Sequence, residues 1–473
     1  MRLSAAWGRA VDELGRTEGG PDALALLVRD QDTRRLLLLR SLLDAAREAD
    51  PAVCSAGQKA RLWDDWALLT EADGSGDRTA SPARALIHYP LTGPWALSCL
   101  RGLDRAAGPV AAGEERALQL ALAHFSALAA VSAARAGIPF RVRLTAYDGR
   151  LTLPSLGSLR TGGTGTEGEP VDVVAGVGRL TLRRREAADV VVFLESGFGA
   201  WSGALAWTPA HALPGLVPGA APMPLDDQDP YRVAPEPRRH TQSGPTTLED
   251  EERKRWLQAW SGTAAALRTG GEHRLTEALT LLRCLVPLEM PRGARGDGGC
   301  SATRREAFGA LLSSTPPSPV AFAATVVHEL QHAKLAAIGE VLTLHQEDDQ
   351  ERYFAPWRPD PRPYDGLLQG AYAHLALADF FQRRALTASS HRESGWTQAS
   401  RYRAQVGAVL PALVGSPHLT TQGRRFVDQM VVAYERMAAH PAPRGHTARA
   451  EAYVRAVRAL WRQRQSSTTR PNE

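Results

Sequence analysis

Leucine and alanine runs interrupted mainly by charged residues fill the first 135 positions. Leu24, Leu26 and Leu27, then residues 36–39, then Leu42 and Leu43, recur among arginines and aspartates, and residues 117–134 continue with few breakers. Length and Ala/Leu content make these stretches helices rather than strands. The texture changes near Gly137. Residues 140–146 alternate, Tyr147-Asp148-Gly149 supplies a turn, and residues 151–153 resume the extended pattern. Residues 162–169 read as a flexible hairpin-like loop, and residues 171–174, 180–182 and 190–194 complete a small sheet. From about 208 to 248 the chain is proline-rich and irregular. Helices return after a cap region at 247–250, at 256–267 and 273–285, and again beyond Pro319. The pattern predicts a mostly α-helical α+β protein. Its parts are an N-terminal helical region (1–135), a small β-rich and Pro-rich region (136–246), a helical catalytic region (247–465) and a disordered polar tail (466–473). No internal repeat is visible.

Composition narrows the class. The chain has 473 residues, 44% hydrophobic and 23% charged, which is the range of folded globular proteins. No window approaches the roughly 18–20 uninterrupted apolar residues of a membrane span. The first residues run into Asp12 and Glu13 without a signal-peptide core, so a cytoplasmic location is expected. The net charge is +5, and all but three of the 56 basic residues are arginine. With abundant Ala, Gly and Pro, that bias fits a GC-rich genome better than a nucleic-acid face, which would need a clustered basic stripe with readout aromatics. Cys54, Cys99, Cys284 and Cys300 lack C-x-x-C spacing and read as reduced structural thiols.

One stretch carries chemistry. After Pro316 and Pro317, Ser318 is placed to cap a helix and Pro319 to begin it; the apolar body that follows contains Val327-His328-Glu329-Leu330-Gln331-His332. Histidines four apart share a helix face and can reach one metal ion, with Glu329 over its open side. With 13 histidines in the chain, this motif arises by chance in roughly one such sequence in fifty.

A metal needs further ligands. Residues 353–363 form a stiff, proline-rich loop leading to a second helix, about 365–384, which contains Gln369, His374 and Asp379. His374 is the strongest neutral donor and Asp379 the strongest by charge, while Gln369 could bind through its carbonyl oxygen. Glu340 and His345 are expected past the end of the first helix. Zinc with one open position would make Glu329 a general base for peptide hydrolysis. Two histidines and one further ligand leaving an open face would suit non-haem Fe(II) and oxygen. That chemistry commonly uses a basic group to grip a cosubstrate carboxylate, and Arg358, Arg362 and Lys334 are candidates. Asp226, Asp227 and Asp229 read as a proline-bounded turn, and Trp201, Trp207, Trp256 and Trp260 chiefly as core.

Residues 327–335, 353–363 and 366–372 together resemble the HExxH-motif proteins that modify ribosomally made peptides, some of them fused to radical-SAM maturases. The resemblance is strongest over about 300–385 and extends weakly to residues 225–232 and 285–288. It implies an oxidoreductase of peptide natural-product biosynthesis, an Fe(II)-, 2-oxoglutarate- and O2-dependent β-hydroxylase of a precursor peptide. His328 and His332 match the motif ligands, and Arg358 and Arg362 fall in the matching Pro-Trp-Arg…Pro-Arg-Pro segment. Gln369 sits where some members have His, while position 374 varies, so the third ligand stays open between them. On this reading the two helices form a zincin-like local arrangement in which Glu329 has no obligatory base role. A zinc metallopeptidase with Glu329 as base, and a metal-stabilised peptide-binding scaffold without catalysis, are the alternatives. Neither nucleic acid nor membrane is an expected partner.

Overall fold

The structure is a computed structural model that describes residues 5–75, 81–104, 112–162, 168–185, 187–232, 244–291, 299–346, 353–387 and 391–468. It is a mostly helical α+β fold. The first 135 positions form α1 (Ala5–Gly15), α2 (Pro21–Glu48), α3 (Ala56–Gly74), α4 (Pro82–Ile87), α5 (Thr92–Leu103) and α6 (Ala112–Arg135). α6 has the length and apolarity of a membrane span, yet 72% of its apolar window is buried inside the protein.

An antiparallel sheet follows in the order β1 (Arg141–Ala146), β4 (Glu169–Gly176), β5 (Arg179–Arg184), β6 (Ala187–Leu194), β7 (Ala200–Trp201). A smaller sheet joins β2 (Arg150–Leu153), β3 (Gly157–Arg160) and β8 (Trp207–Pro209). The loop expected at 162–169 and the Pro-rich region at 208–248 lie partly outside the described residues.

The segment expected to be wholly helical contains a sheet. α7 (Asp250–Ser261), α8 (Thr263–Thr269) and α9 (Glu272–Leu281) are followed by β11 (Cys284–Leu288), so the helix predicted to run to 285 stops four residues early. β11 pairs in parallel with β13 (Ala310–Ser314) and, on its other side, with β10 (Met223–Leu225). β12 (Ser301–Ala302) and β9 (His211–Leu213) close the edges antiparallel. Every residue of β11 and β13 is buried, which removes the alternation that marks a strand in sequence. The expected helix 256–267 is likewise two, broken at Gly262.

The chain then forms α10 (Pro319–Val341), α11 (Tyr364–Thr387), α12 (Arg392–Val414), α13 (Thr421–Arg436) and α14 (Arg444–Thr468). α14 continues to Thr468, so residues 466–468 are helical; the rest of the expected tail lies outside the described residues.

Two large hydrophobic clusters do not follow chain order. One joins α1 and the first half of α2 (Leu24, Leu27) to α7–α13 and the buried strands, with Phe322, Val326 and Leu330 of α10 at its centre. The other joins Leu39, Leu42 and Leu43 of α2 to α3–α6 and the β region. The 28-residue α2 therefore runs through both cores, and the boundary at 135 separates neither. Trp256 and Trp260 lie in the first core and Trp207 in the second, whereas Trp201 is exposed. All four cysteines are free.

Candidate metal centre

α10 forms where the sequence places it. Ser318 accepts a hydrogen bond from Ala321 N at 3.2 Å, Pro319 occupies the first turn, and twelve of its residues are buried. β13 ends just before this cap and aims the helix across the core. His328 and His332 stand one turn apart on the half-buried face.

Their Nε2 atoms lie 3.1 Å apart, with rings at 81°. One metal with bonds of about 2.0–2.1 Å holds two adjacent ligand nitrogens roughly 2.8–3.4 Å apart, between right-angle and tetrahedral coordination. The pair therefore fits a shared ion. His332 Nδ1 lies 3.0 Å from Gln369 Oε1, so the amide oxygen accepts the Nδ1 proton and leaves Nε2 as the lone-pair nitrogen. Gln369, a proposed ligand in sequence, is thereby placed behind the imidazole, as the outer partner that fixes tautomer and ring orientation. Burial, followed by the neighbouring His332, lowers the pKa of His328 to about 4, so it is a neutral donor at physiological pH.

Glu329 is 4% exposed and its carboxylate is already engaged. Ser301 Oγ donates to Oε1 and Thr303 Oγ1 to Oε2, each at 2.6 Å. These hydroxyls sit at and just after the edge strand β12, so Glu329 ties α10 to the sheet. No motif in the sequence marks Ser301 or Thr303.

His374 lies on α11 with its ring 5.7 Å from that of His328. It packs between Trp357 (4.7 Å) and Tyr402 (5.0 Å), and its Nδ1 is buried without a hydrogen-bond partner. Burial first, then His328 and His332, hold its pKa well below the ordinary histidine range. Trp357 reaches it because Gly370 has no side chain; a Cβ there would stand 2.5 Å from the indole. Among the described residues, no group of three or more His, Cys, Asp or Glu side chains is placed to hold a metal ion. The donors that fit are the two imidazoles, with His374 one ring away.

Two sequence candidates are corrected. Lys334 is fully buried on the opposite face of α10, where its ammonium donates to Glu277 Oε1 at 2.7 Å and to the Thr17 and Glu18 carbonyls. It cannot grip a cosubstrate. Asp379 belongs to the same buried network, 3.4 Å from Arg274 and 3.0 Å from Arg383, and is no ligand to the histidine pair.

Arg358 and Arg362 both pair with Asp360, at 3.2 and 3.3 Å. The Nε of Arg362 is buried and unpartnered, and its guanidinium lies against Gly366, one turn before Gln369. Glu340 lies inside α10, not beyond it, and accepts from Gln31 at 2.9 Å. His345 does follow the helix, with its Nε2 3.4 Å from Asp365. The hydrogen bond from His345 lowers the Asp365 pKa, and the Arg305 charge adds to that effect. Asp365 itself stands one turn before Gln369 on α11.

No family model matches the chain, and no curated protein matches it at a significant level. Asp226, Asp227 and Asp229 form the expected turn: Asp226 Oδ1 accepts the Gln228 and Asp229 amides, and Tyr89 donates to Oδ2.

Proposed function

We propose that this chain is an Fe(II)- and 2-oxoglutarate-dependent oxygenase that hydroxylates the β-carbon of a residue in a ribosomally made precursor peptide. The observation that carries the reading is the convergence of His328 and His332 at 3.1 Å with Gln369 locking the tautomer of His332. Two imidazole nitrogens on one side would leave the remaining positions of an ion for cosubstrate oxygens and O2, as oxygen chemistry requires. Iron with 2-oxoglutarate would supply the oxidising power for hydrogen abstraction. His328 and His332 would hold the ion, and the second reading of the sequence, peptide hydrolysis, places a demand on Glu329 that its surroundings oppose. A general base must be free to take a proton from a bound water, yet both Glu329 oxygens already accept hydroxyl protons. Glu329 is a positioning residue in this account, anchoring the histidine turn to β12. Arg362, with an unpartnered Nε against Gly366 of α11, would take the far carboxylate of 2-oxoglutarate.

The test needs no peptide. Protein purified anaerobically and supplied with Fe(II), 2-oxoglutarate and O2 is expected to form succinate, and His328→Ala to form none. Tightly bound zinc with no succinate, together with peptide cleavage abolished in Glu329→Gln, would replace this reading by the peptidase. Unchanged peptide binding and cellular activity after replacing both histidines would replace it by the non-catalytic scaffold.

A further inference from the structure

Helices α11, α12, α13 and α14 surround a cavity of about 490 Å³. Its lining is largely apolar: Trp396, Ala399 and Met437 are buried, and Val454 of α14 completes the wall. Two polar groups reach this space without a partner. Ser400 is only 6% exposed, yet its hydroxyl has no hydrogen bond, and the buried Nε of Arg403 has none either. Ser400, Arg403 and Gly407 are three and four residues apart, so they share one face of α12. Gly407 lets α13 approach that face, because a Cβ there would collide with the Tyr434 hydroxyl. The Tyr434 ring in turn carries the Arg403 guanidinium, 4.6 Å from its centroid, and holds the cation at the cavity wall. Among the described residues, no carboxylate pairs with Arg403.

The other polar groups around the cavity are occupied. Glu451 and Arg455, both exposed on α14, lie 3.7 Å apart. Arg458 donates to the Ala408 carbonyl at 2.7 Å and lies over Phe354. The Gln382 amide donates to the Met437 and His440 carbonyls at 2.8 and 2.7 Å. Arg403 is therefore the uncompensated cation among the described lining residues. A guanidinium grips a carboxylate through two parallel N–H donors, and the Ser400 hydroxyl, one turn away, is a further donor. One cation, with Glu451 also on the lining, suits a single negative charge better than a dianion such as a phosphate monoester. Apolar walls with a few polar groups gathered in one place are the usual construction of a small-molecule site.

We propose that this cavity binds a small amphipathic carboxylate, with its head group on Arg403 and Ser400 and its apolar tail along Trp396, Met437 and Val454. None of His328, His332, Gln369 or His374 lines the cavity, so the site is distinct from the metal centre and does not depend on the hydroxylase reading. Bound there, the tail would add apolar contact between α12 and α14, whose own buried apolar side chains among residues 444–465 are Ala450 and Val454. Occupancy should therefore stabilise the fold by mass action.

The measurement is isothermal titration calorimetry of the full-length protein at neutral pH with decanoate, decanol and decylamine, which share a tail and differ in head-group charge. Decanoate is expected to bind with a Kd on the order of 10–100 μM and to raise the melting temperature. Decanol and decylamine should bind at least roughly tenfold more weakly. Arg403→Gln should weaken decanoate about tenfold or more, and Ser400→Ala about threefold or more. Neither side chain makes a hydrogen bond within the described protein, so both ligand-free variants should melt as wild type does. His328→Ala should leave decanoate binding unaltered. Equal affinity for the three ligands would reduce the cavity to an apolar sink and overturn the proposal. Full decanoate affinity in Arg403→Gln, or no saturable binding up to about 1 mM, would overturn it as well. Decanoate binding in a protein that forms no succinate would remove the hydroxylase reading and support this site unchanged.

Discussion

Two sets of titratable side chains lie on opposite faces of α10. On the buried face, Lys334, Glu277, Arg274 and Asp379 form a network in which the charges answer one another, with Lys334 2.7 Å and Arg274 3.2 Å from the same glutamate. On the half-open face, His328 and His332 point their Nε2 atoms at each other with no acid between them. The first arrangement is complete without a ligand. The second brings two lone pairs together, which is favourable only with a proton or a metal ion between them. Charge at a helix therefore does not mark a site; unsatisfied and convergent donors do.

The contrast is sharpest in stability. Glu277→Ala leaves Lys334 and Arg274 buried without their carboxylate and is expected to cost about 3–5 kcal/mol, read from chemical denaturation. His328→Ala, on the half-open face, should cost less than roughly 1 kcal/mol while abolishing succinate formation. Equal destabilisation by the two would erase the distinction between the faces. Gln369→Leu removes the acceptor behind His332 and should weaken metal affinity about 10–100-fold, measured by competition with a chelator; loss well beyond that range would make Gln369 a ligand. Glu329→Gln keeps the shape of the Ser301 and Thr303 contacts and should lower hydroxylation by less than about tenfold, whereas a base would lose the 10²–10⁴-fold typical of proton transfer.

The charged network also carries a pH effect. His273 lies 3.9 Å from Asp379, and burial, followed by Arg274, lowers its pKa to about 2. The folded state keeps it neutral while the unfolded chain takes up a proton below about 6.5. Its contribution is therefore fully present above that pH and is lost as pH falls toward 2. The loss should reach about 1–2 kcal/mol at pH 5, and His273→Gln should remove that part of the slope in denaturation curves recorded between pH 7 and 5.

Much of the centre could be read directly in the sequence because local rules govern it. The Ser318 cap, Pro319 and the four-residue histidine spacing are all properties of one helix. The position of Lys334 was legible too: two residues beyond His332 is about 200° around a helix, which puts it on the far face. Asp379 lies ten residues, about 15 Å, along α11 from Gln369, too far to share its partner. What could not be read depends on tertiary contact. Ser301 and Thr303 meet Glu329 only because β12 pairs with β13, and β11 and β13 lack alternation because both their faces are buried. Gln369 looks like a weak ligand in sequence; its role behind His332 follows only from the packing of α11 on α10.

The central claim is that the imidazole pair, and not the charged network behind it, is where this protein binds metal. Metal content after anaerobic Fe(II) loading and desalting, measured by mass spectrometry, tests it in four proteins: wild type, His328→Ala, His332→Ala and Lys334→Met. The account predicts about one ion per chain in wild type and Lys334→Met and none in either histidine variant. A histidine variant that retains its ion, or a folded Lys334→Met that loses it, would contradict the account.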